Sequence, residues 1–155
     1  MKAIIFVGLL TCGVAKAEVP VDPVACLANN IYYEASVESY EGKLAVAQVT
    51  INRADIGGHS VCEVVYFKRI NPSTGKKEAA FSWTLGAKWR AKGMNVRVYD
   101  QCVAMARAVI ENNLRSNMID ERVEFYHAKY ISPYWKDRYI RVTQIGQHIF
   151  YRRRI

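Results

Sequence analysis

One acidic side chain falls on a helical face that the sequence predicts to be buried. Between Val24 and Ala35 apolar residues recur at helical spacing, and on a helical wheel Glu34 lies within about 20° of Leu27. A carboxyl group removed from water keeps its proton to higher pH and can donate it to a leaving group. Cleavage of a glycosidic bond needs such an acid. A structural glutamate paired with an arginine, or a helix end turned outward, would explain the same spacing.

Other polar residues could act with Glu34 or in its place. Glu38, one turn later, is either a second carboxylate or a solvated residue at a helix end. His127 and His148 lie in predicted strands among aromatic residues, where a histidine hydrogen-bonds a sugar, orients an acid or serves packing alone. A competing pair is Cys26 with His127 for amide cleavage, because a helix N-terminus lowers the pKa of a thiol.

Charge and aromatic content indicate a polar polymer as partner. The chain has 155 residues, 51% of them hydrophobic, which suits one globular domain and excludes a wholly disordered protein. Ten Tyr and three Trp accompany a net charge of +8, a combination that suits a nucleic acid or a glycan. The rings that could stack on sugars belong to Trp83, Tyr126, Tyr130, Tyr134 and Trp135.

The N-terminal segment is predicted to be a secretory signal. Lys2 precedes an apolar run from Ala3 to Val14, and Ala15-Lys16-Ala17 provides a small-residue cleavage site. The run is shorter than the ~20 residues that span a bilayer, so a membrane anchor is the less favoured alternative. We therefore expect residues 1–17 to be removed after Ala17, which leaves residues 18–155 as one secreted or periplasmic domain.

Export would place the remaining cysteines in an oxidising compartment. Cys26, Cys62 and Cys102 are an odd set, for which one disulfide and one thiol is the simplest arrangement. All three pairings remain open from the sequence. Because no Cys-x-x-Cys or His-x-His spacing occurs, we do not expect a zinc site.

Three helices are predicted between Asp22 and Arg115. The second is apolar on nearly all sides, with Gln48 as a polar exception, so it is expected at the centre. On the third, Glu111 and Arg115 would form an exposed pair four residues apart. The residues expected to cap the three helices are Asp22, Ser39 and Asp100.

Strands dominate the rest of the prediction. Asn71–Gly75 is a strong turn, and Ile145-Gly146 marks a turn or bulge between two late strands. Helices first and a small antiparallel sheet last define an α+β fold. The predicted strands are Val64–Phe67, one beginning at Val123, Tyr139–Gln144 and Gln147–Arg152.

Six sequence blocks in order resemble the cell wall hydrolase family of spore-cortex-lytic enzymes (SleB/CwlJ type). Together they cover nearly all of the predicted mature chain. The blocks are Cys26–Ala35 with Glu38 and Tyr40–Gly42, Ala45–Val49 with Asn52-Arg53, Val61–Val65, Phe81–Thr84, Tyr126–Ala128 and Ile145–Arg152.

The resemblance implies a lysozyme-like, lytic-transglycosylase-like fold and cleavage of peptidoglycan strands at muramic acid. It places the family's acid/base glutamate at Glu34. Glu34 would protonate the leaving oxygen and then deprotonate the muramic C6 hydroxyl, which closes a 1,6-anhydro ring without a second carboxylate. The residues expected to line or order the substrate cleft are Glu38, Gln48, Phe81, Ser82, Trp83, Tyr126, His127, His148 and Tyr151.

The chain departs from the family pattern at three positions. Ser36 and Val37 stand where the family usually has Arg and Gly, and a β-branched residue resists the positive φ that Gly allows. Leu85 replaces a frequent Cys, so no family disulfide is carried over. These changes bear on the helix end and on the position of Glu38.

We therefore expect a monomeric enzyme that acts on peptidoglycan without metal, cofactor or nucleic acid. The main alternative is a non-catalytic module, since a basic protein with clustered aromatics could grip an anionic glycan without cutting it. Nucleic-acid binding through Arg152-Arg153-Arg154 is a weaker alternative, because export separates the protein from nucleic acids.

Overall fold

The computed structural model describes residues 21–86 and 93–154. The predicted signal, residues 1–17, and the basic segment Lys88–Lys92 lie outside them. Helix α1 spans Pro23–Ala35 and begins where Asp22 accepts a hydrogen bond of 2.9 Å from the Val24 amide. Helix α2 spans Tyr40–Gly57, with Ser39 as its N-cap. Both caps are as the sequence predicts.

A third, short helix replaces the strand predicted at Val64–Phe67. Helix α3 spans Val61–Tyr66 and starts with a capping box between Ser60 and Glu63. That motif satisfies two backbone amides and outweighs the strand preference of the valines, which is a weak local bias. Val64 and Val65 are buried instead on the inner side of the helix.

Helix α4 spans Val96–Glu111, and the prediction for its two ends is wrong. Asn95 is the N-cap, through a 3.2 Å bond from the Val98 amide, so Asp100 lies inside the helix. Because the helix ends at Glu111, Arg115 is not on its surface and donates to the Val109 and Leu114 carbonyls. The ion pair of Glu111 is with Arg107.

In the described residues, five strands form two antiparallel sheets. The predicted turn at Asn71–Gly75 joins β1, Lys68–Ile70, to β2, Lys77–Ala79. A three-stranded sheet has the order β3-β5-β4, and a hairpin through Gly146 joins its last two strands. Its strands are β3 Val123–Ala128, β4 Ile140–Ile145 and β5 His148–Arg152. Residues Ser82–Leu85 and Lys136–Arg138 form 3₁₀ turns. The α+β prediction is confirmed.

Among the residues that the structure describes, three hydrophobic clusters surround α2 and form the core. Residues of α1 and α4 pack on one side of α2, and one face of the three-stranded sheet packs on the other. Beneath α3, a third cluster surrounds Trp83. In the described ranges, no helix has the length and apolar character needed to cross a membrane.

A disulfide between Cys26 and Cys62 links α1 to α3, and Cys102 is a buried free thiol. The structure thus selects one of the three pairings that the sequence leaves open. The thiol–imidazole pair of Cys26 and His127 is wrong, because a sulfur in a disulfide is not a nucleophilic thiolate.

Candidate active site

Glu34 lies in the last turn of α1, half-buried and facing the three-stranded sheet. The Tyr126 hydroxyl on β3 donates a hydrogen bond of 3.0 Å to its Oε2. Burial raises the pKa of Glu34, while the Tyr126 hydrogen bond and the positive charge of Arg53 oppose that rise. The carboxyl group therefore favours its protonated form at higher pH than an ordinary glutamate, beside groups that stabilise the anion.

Arg53 on α2 is a site residue that sequence reasoning did not select. Its guanidinium carbon lies 5.2 Å from the Phe81 ring centre and 6.0 Å from that of Tyr126. Its Nε donates a 2.6 Å bond to the carbonyl of Glu124. Burial lowers the pKa of Arg53, and the neighbouring Tyr126, Glu34 and Glu124 act to raise it. The available signal was a polar Asn-Arg pair late in an apolar helix.

Tyr126 connects the sheet to the acid. Burial and the neighbouring Glu34 charge raise the pKa of its phenol well above the usual value. The phenol therefore remains a proton-bearing donor at neutral pH, directed at the Glu34 carboxyl group. The sequence predicted Tyr126 as a substrate-binding residue, and the structure places it beside the candidate acid.

The Glu38 carboxylate is buried against the hairpin that joins β4 to β5. Its Oε2 accepts a 3.2 Å bond from the Gln147 amide, and its Oε1 lies 3.7 Å from His148 Nδ1. Gly146 adopts a positive φ of 57°, and a Cβ there would overlap Glu38 Oε2. Glu38 thus fixes the hairpin to the end of α1, despite Ser36 and Val37 in the preceding loop.

His148 lies on the same side of the sheet as Glu34. Its ring packs edge-to-face on Tyr126 at 5.1 Å, and its Nδ1 is buried without a hydrogen-bond partner among the described residues. Burial lowers the pKa of His148, while Glu38 opposes this shift. The neutral imidazole is therefore favoured next to the Glu38 carboxylate.

His127 and Tyr151 lie on the opposite face of the sheet. His127 Nδ1 is 2.9 Å from the Ala128 carbonyl, which only accepts, so this nitrogen carries the proton. Its Nε2 then accepts from the Tyr151 hydroxyl at 2.9 Å. Trp135 packs on both rings. The structure does not bring these residues together with Glu34.

The segment Phe81–Trp83 contributes mainly to packing. Trp83 is buried, stacks on Tyr33 at 4.6 Å and donates a 3.0 Å bond to Asn30 Oδ1, which ties it to α1. Phe81 is buried beneath the Arg53 guanidinium, whereas Ser82 is exposed at the start of a 3₁₀ turn. Phe81 is thus the member of this group nearest to the candidate site's charged residues.

Gln48 and part of the predicted stacking platform lie away from Glu34. Gln48 is buried, donates to the Ile119 carbonyl and accepts from the Ser116 amide, which explains a polar residue in a central helix. Tyr130 and Tyr134 are 80% and 84% exposed. The predicted stacking platform is therefore distributed over separate parts of the molecule. Within the described chain, no group of three or more potential ligands could hold a metal ion.

Comparison with known proteins agrees with this fold. Residues 37–151 match a family model described as Cell Wall Hydrolase. Among solved structures, the catalytic domain of the Bacillus cereus SleB protein is similar, with a TM-score of 0.56 and 21% identity over 90% of this chain and 100% of that one. No curated protein matches. Because the family model covers well over half of the sequence, the chain belongs to the cell wall hydrolase family.

Proposed function

We propose that this protein degrades peptidoglycan by cleaving its glycan strands, with Glu34 as general acid and base. The observation that carries the proposal is a half-buried carboxyl group of raised pKa that receives a hydroxyl donor from Tyr126 and faces the charge of Arg53. Glu34 precedes the matched segment 37–151, so its proposed role rests on this geometry.

In the first step, protonated Glu34 donates its proton to the glycosidic oxygen as the bond from that oxygen to C1 of the muramic sugar breaks. Burial favours the acid form that this step requires. The resulting carboxylate is stabilised by the Tyr126 hydrogen bond and the Arg53 charge. Both lower the pKa of Glu34 because they interact more favourably with the anion than with the acid.

In the second step, the Glu34 carboxylate removes the proton from the C6 hydroxyl of the same sugar. The C6 oxygen forms a bond to C1 and closes a 1,6-anhydro ring, and Glu34 regains the proton that it donated. This transglycosylase outcome consumes no water. A hydrolase would instead use Glu34 to deprotonate a water that attacks C1.

The position of Glu38 supports a mechanism with one carboxylate. Its two oxygens face the Gln147 amide and His148 within the hairpin contact, and its side chain is buried. A second carboxylate committed to the fold is poorly placed to attack C1 or to activate water. This supports anhydro-sugar formation, which needs Glu34 alone.

We further propose that residues 1–17 direct export and that residues 18–155 form the catalytic domain. The Cys26–Cys62 disulfide supports this, because such bonds persist in oxidising compartments. The excess of Lys and Arg over Asp and Glu, which persists after the loss of Lys2 and Lys16, favours association with an anionic wall.

The decisive experiment compares wild type with Glu34→Gln on purified sacculi, with muropeptides identified by mass spectrometry. We expect Glu34→Gln to lower the cleavage rate by at least about 10²-fold, because the amide cannot transfer a proton. Thermal unfolding of the variant should resemble that of wild type. Anhydro-muropeptides from wild type would mark a transglycosylase, and reducing ends would mark a hydrolase.

The matched control is Glu121→Gln, which makes the same change at an exposed glutamate and should retain full activity. Retained cleavage in Glu34→Gln would contradict the proposed role of that residue. Sacculi that pellet the wild-type protein but release no fragments would favour the non-catalytic binding module instead.

A further inference from the structure

A groove of about 850 Å³ runs beside the candidate active site. One wall consists of α3 and the β1–β2 hairpin, including Phe67. The other consists of β3 and the segments that pack on its outer face, including Trp135. This volume falls within the roughly 300–1,000 Å³ of ligand-binding clefts. The groove is thus large enough for a short peptide or a small oligosaccharide.

Charges in the groove are mostly paired with one another. Arg69 forms an ion pair of 2.8 Å with Glu78, and Arg153 forms one of 2.8 Å with Glu124. Two lining charges remain without an ion-pair partner in the described chain: half-buried Arg53 and exposed Glu63.

The unpaired positive charge is the one shared with the candidate active site. The Arg53 guanidinium carbon lies 6.0 Å from the Tyr126 ring, and the Tyr126 hydroxyl reaches Glu34. Beyond its Nε, Arg53 has no further hydrogen bond within the part of the chain that the structure describes. Its terminal nitrogens therefore have donors for a carboxylate, at the end of the groove next to the proposed chemistry.

We propose that this groove binds the peptide stem of peptidoglycan, with a stem carboxylate at Arg53 and a stem amine at Glu63. This rests on the proposed function, since the stem is attached to C3 of the same muramic sugar whose C1 would react. A stem leaving that sugar carries its first free carboxylate close to the glycan and the amine of a diamino acid further along. That order matches half-buried Arg53, next to the proposed chemistry, and exposed Glu63. Phe67 and Trp135 would flank the stem.

The test compares glycan strands that carry stems with strands stripped of stems by an amidase. We expect kcat/KM of wild type to be about tenfold higher on stem-bearing strands, the effect of a charge-assisted hydrogen bond. Phe67→Ala and Glu63→Gln should reduce this preference several-fold and leave the rate on stripped strands unchanged. Phe67 is 53% exposed, and glutamine preserves the capping box of α3, so both variants should fold.

Acetylation of the stem amine provides an independent readout. Acetylation should lower kcat/KM of wild type by the same factor by which Glu63→Gln lowers it on unacetylated strands. The Glu63→Gln variant should show no further loss of kcat/KM on acetylated strands. Thermal unfolding of each variant checks that its fold is intact.

Equal kcat/KM of wild type on both substrates would overturn the stem site. So would folded groove variants that lose the same factor on stripped strands, since the groove would then bind the glycan itself. If neither substrate yields cleavage products, the proposed function fails. Calorimetry with a soluble stem-bearing muropeptide then decides the stem site separately, and absence of binding overturns it.

Discussion

The two faces of the three-stranded sheet use similar residues in different ways. On the inner face, Tyr126 and His148 pack against the helices and reach toward Glu34. On the outer face, His127 and Tyr151 hydrogen-bond each other beneath Trp135. Each face thus pairs a tyrosine with a histidine, but only the inner pair borders the candidate acid. Side chains of consecutive residues in a strand point to opposite sides of the sheet. Tyr126 and His127 are therefore on different faces although they are adjacent in sequence.

The largest expected effect is on stability, and it shows how far the inner face depends on the contact between Glu38 and the β4–β5 hairpin. Gly146→Ala should destabilise the protein by about 3 kcal/mol, because it adds a Cβ at positive φ and displaces the buried Glu38 Oε2 from the Gln147 amide. Gly75→Ala is the matched control, with the same backbone strain but open space, and should lose about 1 kcal/mol. Denaturant unfolding measures both. Equal losses would show that the Glu38 contact does not hold the hairpin.

The next effect separates the faces by removing one hydroxyl from each. Tyr126→Phe should lower kcat by about 10- to 100-fold, since Glu34 loses a donor that stabilises its anion. That donor lowers the Glu34 pKa, so its loss should move the alkaline limb of the pH–rate profile to higher pH. Tyr151→Phe should leave kcat unchanged and destabilise the protein by about 1 kcal/mol. Equal effects on kcat would contradict the assignment of the faces.

The smallest effect concerns the stability of the inner face at low pH. Burial depresses the pKa of His148 in the folded state, so the unfolded chain binds a proton first as pH falls. Stability from the neutral histidine is complete above its unfolded pKa, about 6.5, and declines as pH drops below it. His148→Gln should lessen the fall in Tm between pH 7 and 5. His59→Gln, at an exposed histidine, should leave the fall as in wild type.

Local sequence signals predicted much of the fold. Caps at Asp22 and Ser39 and the turn at Gly146 each specify backbone geometry through nearby atoms, and the structure has all three. The spacing of apolar residues along α1 likewise predicted that Glu34 lies on the core-facing side of that helix. The errors at Val64–Phe67 and Asp100 arose where β-branched propensity or a plausible cap competed with a stronger motif nearby.

The site was harder to predict because its contacts join residues distant in sequence. Arg53 meets Phe81 and Tyr126 only after α2, the 3₁₀ turn and β3 have packed. Gln48 resembled a polar site residue, but its partners are backbone groups near residue 116 that no spacing rule indicates. The order of the motifs predicted the family, but it did not show which of these residues share a surface.

Helix α1 is held in place by contacts near both of its ends, and these contacts position Glu34. Near its start, Cys26 is bonded to Cys62, and just past its end, Glu38 is held by the β4–β5 hairpin. The backbone that carries Glu34 is therefore preorganised, so substrate binding need not order it. Of these two contacts, only the Cys26–Cys62 disulfide requires oxidation. A chain in a reducing cytoplasm would lack it, so the export proposed above would also allow this bond to form and complete the support of Glu34.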